Sequence, residues 1–354
     1  MLAIFAIASP AIAQQKVVNV YNWSDYIDPK VLEDFTKETG IKVIYDTYDS
    51  NETLETKLLA GKTDYDVVVP SATFLQRQIQ AGVYQKFDKS KLINLKGLWP
   101  EVMARLAAYD PGNQYAVNYM WFTTGIAYDV EKARLRMGGK PVESWETVFK
   151  PENLRKFGDC GVYMLDSPED IFTAALKFIG LNPDSKRPDD IHRAADTLLR
   201  VKPYVKKFHS SEYINALANG DICLAVGWAG DSFQARNRAR EAANGVDINY
   251  VIPKEGALMS LDNLAIPKDA PHVAEAYAFI DFLLRPDIAA RNTATTSFAN
   301  GVLASKPFIE KDILNNPSIY PRDDALRGLY VVTANDQATQ KIVTREWTRV
   351  KTGR

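Results

Sequence analysis

Short apolar runs suited to strands alternate, over the first eighty residues, with amphipathic segments bounded by helix-start and helix-stop residues. Residues 17–21 read as a strand and 29–39 as a helix, opened by Asp28 and Pro29 and stopped by Gly40. Residues 41–45 are strand-like again, 51–60 form a helix ending at Gly61, 65–69 a buried-type strand, and 72–81 a helix ending at Gly82. Parallel strands need a crossover between them and a helix supplies it, so these β-α-β units imply a parallel sheet covered by helices on both faces.

After residue 115 the rhythm changes. Strand-like runs at 115–119 and 125–128 precede helical patterns around 167–181 and 189–207, and residues 211–228 read as a helix, a Gly220 stop and a strand ending on Trp228. Residues 248–253 and 260–266 complete the strand pattern, 275–284 read as a helix closed by Arg285-Pro286, and the tail from 323 is mostly helical and polar. A second α/β lobe is the natural reading. No repeat, low-complexity tract or flexible linker is present, so two lobes would be joined by crossing strands.

The chain has 354 residues, 46% of them hydrophobic, the composition of an ordinary soluble globular protein of two domains. Lys and Arg number 43 against 44 Asp and Glu, a net charge of −1, so the basic field that nucleic-acid binding requires is missing. Residues 1–13 read as the apolar region of a secretion signal with a small-x-small cleavage site at Ala11-Ile12-Ala13. The basic segment that normally precedes it is lacking, so the true start is expected upstream. No later run reaches the roughly 20 apolar residues of a membrane span, and export with no membrane insertion is expected. An exported chain with two cysteines, Cys160 and Cys223, favours a disulfide; two separate buried thiols are the alternative.

Enzyme signatures are scarce. Histidine occurs only at 192, 209 and 272, with no metal-ligand spacing, no Cys-x-x-Cys, no nucleophile elbow, no P-loop and no dinucleotide fingerprint, so neither a metal nor a cofactor is expected. What stands out is a set of aromatics, hydroxyls and acids at predicted strand ends, and open α/β sheets bind ligands at the carboxyl ends of their strands. They are Trp23, Ser24, Asp25 and Tyr26; Ser71 after Val69-Pro70; Glu169 in Asp166-Ser167-Pro168-Glu169; Trp228 and Asp231; and Asp262. Aromatic faces and carboxylates suit an organic cation, whose methylenes and charge lie against ring faces while an acid supplies the counter-ion. Each residue also has a plainer reading: Ser71 and Ser167 as helix N-caps, Glu169 as a first-turn acid, Asp262 as a turn residue, Trp23 as core.

The chain resembles the periplasmic polyamine-binding proteins of ABC importers, the putrescine receptors in particular. The resemblance covers nearly the whole mature sequence and rests on Tyr21-Asn22-Trp23-Ser24-Asp25-Tyr26, Val69-Pro70-Ser71, Lys150-Pro151-Glu152-Asn153-Leu154, Phe208-His209-Ser210-Ser211, Ala218-Asn219-Gly220-Asp221-Ile222-Cys223, Gly227-Trp228-Ala229-Gly230-Asp231, Ile252-Pro253-Lys254-Glu255-Gly256-Ala257 and Leu284-Arg285-Pro286-Asp287. It implies a type II periplasmic-binding-protein fold, each lobe a mixed, mostly parallel sheet flanked by helices, with 16–121 plus 250–305 in one lobe and 122–249 plus 306–354 in the other. It implies closure around the ligand by hinge motion and delivery to an inner-membrane permease, by a periplasmic monomer without covalent chemistry. Trp23, Tyr26 and Trp228 would wall the methylene chain; Ser24, Asp25 and Asp231 would hold one ammonium, Glu169 and Asp262 the other, with Ser71 adding a polar contact. The family's disulfide falls on Cys160 and Cys223.

Two positions depart from the putrescine-receptor pattern. Ser260 stands where an aromatic is expected and opens the box; Phe298 replaces a tyrosine and removes a hydroxyl. Putrescine or a similar diamine is the expected ligand, and spermidine or another bulkier cationic amine the alternative. A secreted hydrolase would need two carboxylates facing one bond. An anion or metal-chelate receptor on the same fold would need Arg, Lys or Tyr clusters at the strand ends instead of acids.

Overall fold

The computed structural model describes residues 15–322, 325 and 328–353, so the segment read as a secretion signal lies outside the described residues. Among the described residues ten strands form one mixed sheet: β1 Val17–Trp23, β2 Lys42–Tyr48, β3 Val67–Val68, β4 Ala116–Asp129, β5 Val162–Met164, β6 Lys207–Phe208, β7 Leu224–Trp228, β8 Ile248–Val251, β9 Met259–Ala265 and β10 Ala299–Asn300. The order β2-β1-β3-β9-β4-β7-β5-β6 is parallel at both ends, where helices supply the crossovers, and antiparallel about β4.

Strand β4 organises the molecule. Residues 116–123 pair with β9 and residues 120–121 with β10, whereas 124–128 pair with β7 and 126–129 with β8. Two separate short strands were expected here; one 14-residue strand is found. Neither Asn118 nor Gly125 ends it, although its register on β9 shifts between Asn118 and Met120, and all but Tyr128 of its side chains are buried, which removes the period-2 signal that marks a half-exposed strand. Gly125 is required within it, because a Cβ there would collide with the Val251 carbonyl oxygen.

The caps of the first helix follow the sequence closely. Asp28 accepts from the Lys30 amide at the start of the Pro29–Thr39 helix, which ends on Gly40 at φ 71°. The Pro286–Thr296 helix, by contrast, was not anticipated. Its buried side includes Asn292, Thr293 and Thr296, so no apolar stripe announces it. The long helical stretch expected at 189–207 ends earlier, as Pro188–Val201, and the chain then enters β6.

Cys160 and Cys223 are disulfide-bonded, with Cα atoms 5.6 Å apart, just ahead of the parallel pair β5 and β7. The bond closes a loop spanning 63 residues. Replacing both cysteines by serine is expected to lower the unfolding free energy by about 2 to 4 kcal/mol in urea titrations. An unchanged value would mean that β5 and β7 hold this region without the crosslink.

Candidate functional site

The carboxyl ends of β1, β3 and β7 and the middle of β4 and β9 converge on one cleft. Its lining includes Trp23, Ser24, Tyr26, Ser71, Glu169, Trp228, Asp231, Ser260, Asp262 and Phe298, so every sequence-predicted residue except Asp25 reaches it. The cavity is narrow, about 60 Å³. β4 sets the spacing: Phe122 stands opposite Ser260 on β9, and Thr124 opposite Trp228 on β7.

The aromatic side chains lock one another in place. Trp23 and Trp228 meet edge to face at 5.9 Å, Phe122 packs on Trp228 at 5.8 Å and on Phe298 at 5.1 Å, and Tyr26 packs on Phe298 at 4.8 Å. Trp23 donates Nε1–H to the Val69 carbonyl at 2.9 Å. Gly230 makes room for this arrangement, since a Cβ there would run into the Phe298 ring. The contact accounts for Gly230 within Gly227-Trp228-Ala229-Gly230-Asp231.

The plainer readings separate here. Ser71 precedes the Ala72–Gln80 helix but makes no side-chain cap; its hydroxyl donates instead to Asp262 at 2.6 Å. Asp262 is no turn residue, being buried within β9. Ser167 does cap the Pro168–Phe178 helix and also donates to Asp170 at 2.6 Å. Glu169 lies in that helix's first turn and in the cleft lining as well.

Asp25 is placed elsewhere. At φ 55° the chain turns through left-handed backbone, and the carboxylate pairs with Arg238 Nη2 at 2.8 Å in an adjoining groove. Asp170 was not anticipated. It is buried and accepts from Ser167, from Thr124 and, at 3.2 Å, from Trp228 Nε1. The signal was available, because Ser167 three residues before Asp170 matches the S-x-x-D cap pattern. Phe122 was missed too, lying inside the stretch of β4 read as a gap.

Seven acids line the cleft, Asp49, Glu52, Asp166, Glu169, Asp170, Asp231 and Asp262, and no Lys, Arg or His among the described residues does. Burial, with the Asp170 charge adding to it, pushes Glu169 up to about 7. Burial also pushes Asp231 up to about 7 against a 2.8 Å hydrogen bond from Tyr213, and Asp262 up to about 7 against the Ser71 hydroxyl. Asp170 is raised by burial and held back by its hydrogen bonds. Carboxylates desolvated without a basic partner favour an occupant that brings its own positive charge. Aromatic walls beside such carboxylates suit an organic cation.

Residues 30–317 match the family described as bacterial extracellular solute-binding protein. The chain is 52% identical over 343 residues to the putrescine-binding periplasmic protein SpuD of Pseudomonas aeruginosa, covering 97% of this chain and 94% of that one. It is 49% identical over 344 residues to the putrescine-binding periplasmic protein PotF of Escherichia coli, covering 97% and 93%. Among solved structures, the spermidine/putrescine ABC transporter substrate-binding protein PotD of Streptococcus pneumoniae superposes with a TM-score of 0.78 at 27% identity, covering 96% of this chain and 99% of that one.

Proposed function

The chain belongs to the bacterial extracellular solute-binding protein family, and we propose that it is a periplasmic receptor that captures a short diamine, putrescine or one like it, for an ABC importer. One observation carries this reading: seven acids and, among the described residues, no Lys, Arg or His line a narrow aromatic cleft. A diamine fits that arrangement. Its two amines are charged at pH 7, titrating near the lysine value of about 10.4, and only carboxylates replace the water they lose. In this reading Trp23, Tyr26, Trp228, Phe122 and Phe298 enclose the methylenes. Asp231 and Ser24 take one ammonium, while Glu169, Asp170 and Asp262 with Ser71 take the other.

The lobes proposed are 16–121 plus 250–305 and 122–249 plus 306–354. The handover in β4 between Thr123, paired with β9, and Thr124, paired with β7, supports that division. Closure of one lobe on the other buries the ligand and presents a single shape to the permease. Because one chain supplies the whole cleft, a monomer suffices. No bond is made or broken in this role.

A longer amine is the second reading, and one observation favours it. Ser260 lines both the cleft and a small side chamber with Thr73, Tyr109, Glu169 and Val332. Ser260→Phe is expected to tighten putrescine about two- to ten-fold by supplying a ring face, and to weaken spermidine. Calorimetric titration of ligand-stripped protein with putrescine, cadaverine, agmatine and spermidine tests both readings. Saturable binding of one amine supports the receptor role and names its ligand; no heat from any of the four would overturn it.

A further inference from the structure

We propose that Lys351 sets how many positive charges the cleft accepts, by holding Asp166 in an intramolecular ion pair at its mouth. This rests on the polyamine reading and adds a residue that does not line the cleft. Lys351 lies in the last turn of the Gln337–Thr352 helix, and its Nζ donates to both oxygens of Asp166, at 2.9 and 3.0 Å. Asp166 also accepts from Trp347 Nε1 at 2.8 Å. Trp347 is buried against Phe172 and Phe208, which anchors the helix that carries Lys351.

Asp166 is a cleft acid that the protein already pairs with a cation of its own. Glu52 and Glu169 line the same cleft and, among the described residues, neither is held in an ion pair, although the Arg77 charge acts on both. Glu52, on the Asn51–Ala60 helix, is exposed and lines the same cleft as Asp166, so the two acids share one electrostatic region. A ligand with two ammonium groups leaves the Lys351 pair intact. A third ammonium reaching the mouth must go without a carboxylate or displace Lys351. The pair is part-exposed, at 38% for each side chain, so the penalty is a few-fold and falls as salt screens it. Lys351 thereby tilts selection toward dications.

The test is the ratio of spermidine to putrescine dissociation constants, measured by calorimetry at low and high salt. Lys351→Met is expected to move the ratio about three-fold toward spermidine at low salt, with the change shrinking at high salt. Lys351→Arg keeps the cation and should keep the original ratio. Arg349→Met removes a cation from the same helix that pairs with Asp196 and Glu346, away from the cleft, and should leave the ratio alone. A Lys351→Met ratio equal to wild type, or an Arg349→Met change of equal size, would overturn the inference alone. Failure of the wild-type protein to bind either amine would remove the polyamine reading and the inference with it.

Discussion

Asp231→Asn is expected to weaken diamine binding by about 10²- to 10³-fold, because removing one partner of a buried charge pair leaves an ammonium desolvated without its counter-ion. The shape of the site should survive. Asparagine keeps an oxygen able to accept from the Tyr213 hydroxyl, now 2.8 Å from Asp231, and fills nearly the same volume. Since burial penalises the Asp231 charge, the ligand-free variant should melt at or above the wild-type midpoint at pH 8. Calorimetry paired with thermal unfolding separates these effects. Weak binding together with a lowered midpoint would show a packing role for Asp231; unchanged affinity would remove it from the site.

The ligand-free protein is expected to melt about 5 °C lower at pH 8 than at pH 5. Glu169, Asp231 and Asp262 are each raised to about 7 from ordinary values of 4.5, 3.8 and 3.8. An acid raised in the folded state binds more protons there than when unfolded, so its contribution favours folding at the acidic end and is lost as pH rises through about 7. Even if each of these acids titrates only about two pH units higher in the folded chain than in the unfolded one, the part lost between pH 5 and pH 8 is about 4 kcal/mol for the three together, at about 1.4 °C of midpoint per kcal/mol for a chain this size. A saturating diamine should reverse the trend, because it stabilises the ionised acids. Binding should then release protons near pH 6, visible as a dependence of the heat on buffer ionisation enthalpy, and affinity should fall as pH drops below 7. A pH-independent midpoint with no proton release would mean that these carboxyls are already ionised before the ligand arrives.

Much of the architecture was legible because it rests on local signals. The Asp28-Pro29 start and Gly40 stop bound the first helix in the structure as in the sequence. The cysteine pair, the β-α-β rhythm of the first eighty residues and the aromatics at strand ends were readable in the same way. What escaped were elements whose burial erased the pattern: the middle of β4, buried on both faces, and the Pro286–Thr296 helix, whose inner face is partly polar.

The sequence by itself determined that Trp23 and Trp228 stand at the carboxyl ends of strands, since that depends on strand period and on the caps and turns that follow. Only the tertiary structure decided which of the candidate residues share a cleft. Asp25, next to two residues that line it, turns away to Arg238, while Asp170, Phe122 and Asp166 enter. Those outcomes depend on contacts between residues far apart in the chain: Trp228 to Asp170, Ser71 to Asp262, and Lys351 to Asp166. Whether a carboxylate loses its water, gains a hydroxyl or meets a lysine is set by how β4 brings the two halves of the sheet together, and no local pattern encodes it.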